Sequence, residues 1–429
     1  MARPKSLRIN TYNVGFGDCF MLTFKYATRE RHILIDYGCQ RLPVNKKPNH
    51  MVKVARQISN DCNGKLDVIV ATHRHQDHIS GFRTNSSKTA PGDIIATLKP
   101  DFVVQPWTEH PQAPRDAEVA PTHAIRQAYH KRLESLHVVA ASIPSQLQAL
   151  HRIEPALRRR LGFLGENNIK NKSAVKNLIR MAAPDKGRYV HCGSASGFSH
   201  ILPGVQVHVL GPPTLEQTKT IKKQVHEHED EFWHLQSSLN DFWSMQASAA
   251  ANAGDAQSRL FPDAATGRGN ASTRWFTNRL NQTRAEELLQ IVRILDDAMN
   301  NTSVILLFVC GTKSFLFSGD AQWENWAYAL SKPGYRKLLR NIDMYKVGHH
   351  GSLNATPKTL WKSFRQRGDA QKRNRLQTVL STKHGVHGSE ERDSEVPRST
   401  LVDELRKKSD LTTTEAFGSD LVRSLTFRF

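Results

Sequence analysis

One segment limits what this chain can fold into more than its length or composition does. In Asp67-Val-Ile-Val-Ala-Thr-His-Arg-His-Gln-Asp-His78 a β-rich apolar run stops, and His73, His75, Asp77 and His78 follow within six positions. The run predicts a short buried strand, and the polar residues after it predict a turn. In such a turn alternate histidines can converge on one cation, while Asp77 and His78 turn toward a second. Imidazole combined with carboxylate suits Zn²⁺, Mn²⁺ or Fe and disfavours Ca²⁺. One cluster does not complete a site, so further ligands must come from other strand ends.

Two other stretches supply candidates. Phe315-Leu-Phe-Ser-Gly-Asp320 ends an apolar run on a carboxylate, where a residue bridging two metals would stand. Tyr345-Lys-Val-Gly-His-His-Gly-Ser352 ends the next run on paired histidines, His349 and His350. Strand-like runs at 7–14, 19–24, 32–36, 101–105, 205–210, 303–310, 314–317, 344–347 and 378–381 surround them, with hairpin chemistry at Gly311-Thr312-Lys313. Helical spacing marks 51–59, 323–331, 357–366 and 398–408. Residues 122–136, 144–160 and 172–183 read as helices rich in Lys and Arg, and 214–248 as a polar helical stretch. A linker at 249–273 precedes an amphipathic helix over 288–295. The mixture predicts an α/β or α+β fold with helical insertions.

Composition then excludes several classes. With 429 residues the chain can bury a sizeable core. Its longest apolar run, Val304 to Cys310, falls far short of the ~20 residues that span a bilayer. No signal-peptide core follows the basic N-terminus, and Cys19, Cys39, Cys62, Cys192 and Cys310 are scattered in no paired spacing. Reduced thiols in a soluble, cytoplasmic protein with no membrane partner are expected.

Lys and Arg number 60 against 40 Asp and Glu, a formal charge of +20. Such an excess favours anionic partners, nucleic acid first. The densest cluster, at 362–375, holds Lys362, Arg365, Arg367, Lys372, Arg373 and Arg375 against Asp369 alone. Because it follows the His-His-Gly-Ser strand end, Lys362 and Arg365 are candidate substrate contacts. No Gly/aromatic nucleic-acid signature accompanies the cluster, so a solvated face competes equally.

Weaker signals are read more plainly. Gly15-x-Gly17 is a tight β turn, because the residues after it alternate like a strand and open no dinucleotide-binding helix. His387, in Lys383-His-Gly-Val-His-Gly388, follows a strand end and is a candidate substrate contact, with an ordinary loop as the alternative. Trp107-Thr-Glu-His110 is a candidate pocket rim, and His226 and His228 read as surface.

Taken together, His-x-His-x-Asp-His after a strand, then Gly-Asp, then a strand ending in His resembles the metallo-β-lactamase superfamily. Further motifs are similar to the branch containing the soluble hydrolase domain of competence (DNA-uptake) proteins: Val14-Gly-Phe-Gly-Asp18, Leu34-Ile-Asp36-Tyr-Gly38, Asn300-Asn301-Thr302-Ser303 and Lys346-Val-Gly-His-His-Gly-Ser352. The resemblance implies a four-layer αββα sandwich. Residues 1–110 would form its N-terminal half, 201–213 a core strand and 296–429 its C-terminal half, with insertions at 111–200 and 214–295.

It also implies two divalent ions, Zn or Mn. His73 and His75 would bind the first, Asp77 and His78 the second, and Asp320 would bridge them. One of His349 and His350 would complete the second site, and the other would contact substrate or protonate a leaving group. Asp36, and with it Asn300, would brace the site rather than bind metal. The superfamily's further histidine before the Gly-Asp strand is absent from Met299-Asn300-Asn301-Thr302, so the first ion would have a more open shell.

The activity so implied is hydrolysis by a metal-activated hydroxide oriented by Asp77, with no covalent enzyme intermediate. Phosphodiesters or other polyanions are the first substrate class. Esters, thioesters or lactones are an alternative, as is a non-catalytic metal-binding regulatory module.

Overall fold

The apolar runs flanking the His-rich segment become strands buried on both faces, which is why they read as nearly continuous hydrophobic stretches. The computed structural model describes residues 2–110, 154, 155, 157, 158, 171–214, 216–218, 299–352, 356–388 and 395–429. The readings at 122–136, most of 144–160, 219–248, 249–273 and 288–295, with His226 and His228, lie outside the described residues.

The described chain is a mixed α/β protein with two mixed sheets. The first has the order β13 (Val422–Arg428), β1 (Ser6–Tyr12), β2 (Cys19–Lys25), β3 (Glu30–Tyr37), β4 (Val68–Val70), β5 (Phe102–Pro106), β6 (Gly187–Val190). It is antiparallel from β13 to β3 and parallel from β3 to β6. The second has the order β12 (Asp410–Thr413), β11 (Gln377–Leu380), β10 (Met344–Lys346), β9 (Lys313–Phe317), β8 (Ile305–Cys310), β7 (Val205–Gly211). There β7, β8 and β9 are antiparallel, and β9 to β12 run parallel.

Alternate residues divide the core. Phe20, Leu22, Phe24, Ile33, Ile35, Val68 and Val70 of the first sheet join Leu306, Phe308, Phe315 and Phe317 of the second in one buried cluster. Their neighbours in the strands, such as Met21, Leu34 and Ile69, face a second cluster shared with α1 (His50–Asp61), α3 (Pro91–Thr97) and α4 (Lys172–Ala182). Ile305, Leu307 and Leu316 face a third with α5 (Trp323–Ser331), α6 (Pro333–Leu339), α7 (Lys358–Ser363) and α8 (Ser399–Lys408). Each fully buried Leu, Ile or Phe contributes about 1.5–3 kcal/mol.

Two expectations change in detail. The stretch 111–200, read as an insertion, supplies β6 as an edge strand of the first sheet as well as α4. Gly187-Arg-Tyr-Val190 is too short and polar to show a period of two, so only its pairing with β5 reveals it. The short strand expected from the apolar run ahead of His73 is confined to Val68–Val70, although Leu66 and Ala71 stay buried beside it.

All five cysteines are separate buried thiols. Burial pushes Cys39 up to about 12 and Cys62, Cys192 and Cys310 up to about 11. No helix of the described residues is long and apolar enough to cross a membrane.

Candidate metal centre

Because β3, β4 and β5 run parallel in one sheet and β9 to β12 in the other, several strands end at the same edge of the molecule. The His-rich segment leaves β4 there. Asp36, near the end of β3, accepts hydrogen bonds from the Thr72 amide and hydroxyl, each at 2.7 Å. Its Oδ2 also lies 2.8 Å from His78 Nδ1. One carboxylate therefore fixes the turn after β4 and aims the other imidazole nitrogen, His78 Nε2, into the site.

His75 then leads into a single helical turn, α2 (Gln76–Ile79), which carries Asp77 and His78. Gly38 permits this turn to sit against the end of β3, since a Cβ there would lie 2.2 Å from Asp77 C and His78 N. Asp18, in the Gly-Phe-Gly-Asp turn, donates its amide to the Asp77 carbonyl at 2.8 Å. The turn read as a plain β connection thus clamps the ligand loop.

The second sheet contributes from two strand ends. Gly319, with φ of +51°, turns the chain after β9 so that Asp320 points back, in a conformation that favours glycine. After β10, His349 and His350 both adopt left-handed backbone, φ 43° and 51°. Non-glycine residues pay about 1–3 kcal/mol for sparsely populated backbone of this kind, which persists where the surroundings enforce it.

Asp77, His78, Asp320 and His350 converge so that one ligating atom from each lies within 4.8 Å of the others. His78 Nε2 is 2.9 Å from Asp320 Oδ2, and His350 Nε2 is 2.9 Å from Asp77 Oδ2 and 3.6 Å from Asp320 Oδ2. His350 Nδ1 faces the Ser381 carbonyl at 2.9 Å, which fixes Nε2 as the inward nitrogen. Beside this group, His73 Nε2 lies 3.0 Å from His75 Nδ1, and the His73 and His78 rings are 4.1 Å apart. Asp18, Asp36 and His78 form a second convergence behind it.

The site fits a divalent cation by its own chemistry. Asp77 Oδ1 is buried with no hydrogen-bond partner, and His78 Nε2 and Asp320 Oδ2 face only each other, in poor alignment. Buried polar atoms are normally well satisfied, so donor atoms left in this state around one point suit a cation held among them. Burial opposes charge on Asp77, yet His78 and His350 hold it down at about 2. Burial likewise opposes charge on Asp320, but His78, His350 and Lys346 hold it well below the usual carboxylate range. Burial also disfavours the charged imidazole of His78, and Asp320, Asp36 and Asp77 outweigh it and raise its pKa well above normal. Burial, then His78 and His75, depress His73 well below normal, whereas His78 and His350, raised by the surrounding carboxylates, would have to give up a proton to ligate a cation.

No protein-family model and no curated protein matches this chain. The assignment of the site therefore stands on these residues and distances.

Other expected residues fall elsewhere. His349 is half-buried at the edge of the group, with Nδ1 2.9 Å from Ser352 Oγ, Nε2 3.5 Å from Asn300 Nδ2, and its amide on Asp320 Oδ1 at 3.0 Å. His350, not His349, is the member of the pair in the inner group. Asn300 is buried and touches His349, as a brace would. Arg74 turns away from the ligands and grips Glu109 through several hydrogen bonds, one from Nε to Oε1 at 2.8 Å, tying the loop to the end of β5. Trp107 donates from Nε1 to the Pro213 carbonyl at 3.2 Å.

His387 pairs with Val396, and the segment following Val396 returns to the site, with the Arg398 amide on the Gly351 carbonyl at 2.9 Å. Lys362 and Arg365 lie at the opposite end of the sheet, because the Arg365 amide bonds the Arg340 carbonyl at 2.8 Å, ahead of β10. The chain folds back after α7 to reach the start of β11, which carries the basic cluster away from the strand ends.

Two groups escaped sequence reasoning. Lys346 is 2% exposed inside β10, and its ammonium donates to the Gly319 carbonyl at 3.0 Å, lies 3.4 Å from Asp320 Oδ1 and pairs closely with Asp18. Burial raises the Asp18 pKa in spite of that lysine. A lysine in the apolar run Met344-Tyr-Lys-Val347 was the available signal, since lysine is almost never fully buried unless paired.

Proposed function

We propose that this chain is a metal-dependent hydrolase with the four-layer αββα sandwich of the metallo-β-lactamase superfamily, acting on phosphodiesters. The observation that carries the reading is the convergence of His73, His75, Asp77 and His78 from one sheet with Asp320 and His350 from the other. Two sheets packed through a shared core, with helices on their outer faces, support the sandwich.

In this reading Asp77, His78, Asp320 and His350 would hold one divalent ion, and His73 and His75, beside Asp320, would hold a second. Zn²⁺ and Mn²⁺ suit the donor set. Bound ions of this kind acidify water and neutralise charge on phosphoryl oxygens. Asp77, ionised at neutral pH, orients the attacking water. Asp36 and the Ser381 carbonyl keep the His78 and His350 rings in register. His349, half-buried beside the inner group, positions or protonates the leaving group. Lys346 offsets the negative charge of Asp18 and Asp320 behind the ligands.

The test is turnover of bis-p-nitrophenyl phosphate and of single- and double-stranded DNA and RNA by protein loaded with Zn²⁺ or Mn²⁺. Metal-dependent cleavage that falls at least ~100-fold in Asp77→Asn is expected. Metal-loaded protein inactive on the whole panel would sink the phosphodiesterase reading, and turnover of neutral esters alone would replace it.

A further inference from the structure

The basic cluster that lies away from the metal centre forms a surface of its own. It is assembled from the end of α6, the loop 364–376 and the end of α8. The Arg365 amide bonds the Arg340 carbonyl at 2.8 Å, the Gly368 amide bonds the Lys408 carbonyl at 2.8 Å, and Arg375 donates to the Lys407 carbonyl at 2.7 Å. Arg336, Lys337, Arg340, Lys362, Arg365, Arg373 and Lys407 are all exposed around this junction.

Each local acid is already engaged. Asp369 pairs with Lys408 at 2.7 Å, Asp410 with Arg375 at 2.7 Å, Glu404 with Arg367 at 3.5 Å and Asp403 with Arg406 at 3.8 Å. None of the seven exposed cations has an acidic partner among the described residues. Three helix C-termini, those of α6, α7 and α8, end here and attract cations, and Arg336, Lys337, Arg340, Lys362 and Lys407 stand in their last turns or at their C-caps. Arg375 already caps the carbonyls at the end of α8. Arg365 and Arg373 stand in the loop after α7, beyond any helix end, and extend the charge past what the helix ends account for.

We infer that the amino-terminal end of the second sheet is a docking face for the phosphate backbone of a nucleic-acid duplex, separate from the metal centre. Four of the seven cations are arginines, whose planar fork matches phosphate oxygens. The exposed large apolar side chains of the described residues, Val44, Ile179, Trp323 and Phe429, all lie outside the cluster, so it lacks the apolar wedge of a membrane-inserting surface. The contacts are to backbone phosphates and independent of sequence. The inference does not rest on hydrolysis, because binding is read without divalent cations.

The experiment is fluorescence anisotropy of a labelled duplex with the full chain, in chelator, across a salt series. Reversal of Arg340, Arg365 and Arg373 to Glu is expected to raise Kd at least ~10-fold and to flatten the log Kd–log salt slope by about 3, near 0.9 per lost phosphate contact. A control reversing Lys47, Lys53 and Arg56, exposed on the other sheet's side, makes the same charge change and is expected to cost much less. Arg373→Ala alone should flatten the slope by about 1, which keeps the test valid if the triple variant misfolds. Equal losses in patch and control variants, or no duplex binding by the unaltered chain, would overturn the inference. Capture by phosphatidylserine vesicles without duplex binding would also overturn it, in favour of a membrane surface.

Discussion

The two ends of the second sheet use the same kinds of charged side chain to opposite effect. At the carboxyl ends of β9 and β10, Asp320, Lys346 and His350 are almost fully buried and aimed at one another. At the amino ends, the cations around Arg340 and Arg365 stand in solvent, and the acids among them are spent on single surface pairs. A charge pair 4 Å apart is worth about 1 kcal/mol in water and several times that in a protein's interior. Burial, more than residue type, separates a site that can hold an ion tightly from a face that can only attract one.

Removing one charge from each end should expose that contrast. The largest effect is expected from Lys346→Met, which leaves Asp18 and Asp320 buried without their cation. Urea denaturation of metal-free protein should show a loss of about 3–5 kcal/mol. A loss below ~1 kcal/mol would mean that the ammonium is not needed to balance the buried acids. Next comes Gly38→Ala, where the added methyl meets the backbone of Asp77 and His78. It should cost about 3 kcal/mol and weaken metal binding together with stability.

Asp36→Asn keeps the shape but loses the carboxylate that aims His78, and should weaken metal affinity about 10–100-fold in a chelator competition. At the other end, Arg365→Ala and Arg373→Ala should each change stability by less than about 0.5 kcal/mol, since neither side chain is buried or ion-paired among the described residues. A large loss there would show that the basic face is structural.

The sequence already carried the candidate ligand residues, because imidazole and carboxylate at strand ends are chemically unusual and sit close together in the chain. His73, His75, Asp77, His78, Asp320 and His350 are brought to one edge by parallel strands that their own apolar runs predict. What lay hidden was whatever depends on contacts between distant segments. Asp18 looked like part of a turn until its amide reached Asp77, and Lys346 looked like one more surface lysine until β10 proved buried on both sides. Choosing between His349 and His350 required the Ser381 carbonyl, 31 residues further on. The placement of Lys362 and Arg365 failed for a related reason: proximity in sequence to a strand's carboxyl end says nothing once the chain reverses to begin the next parallel strand.

The central claim is that the buried constellation binds divalent cations, and metal content tests it most directly. Protein dialysed to equilibrium against low micromolar Zn²⁺ or Mn²⁺ would be analysed by mass spectrometry beside Asp320→Ala. The account predicts about two ions per chain, falling below one in the variant. A chain that retains no metal, or an Asp320→Ala variant that retains as much as the unaltered protein, would contradict it.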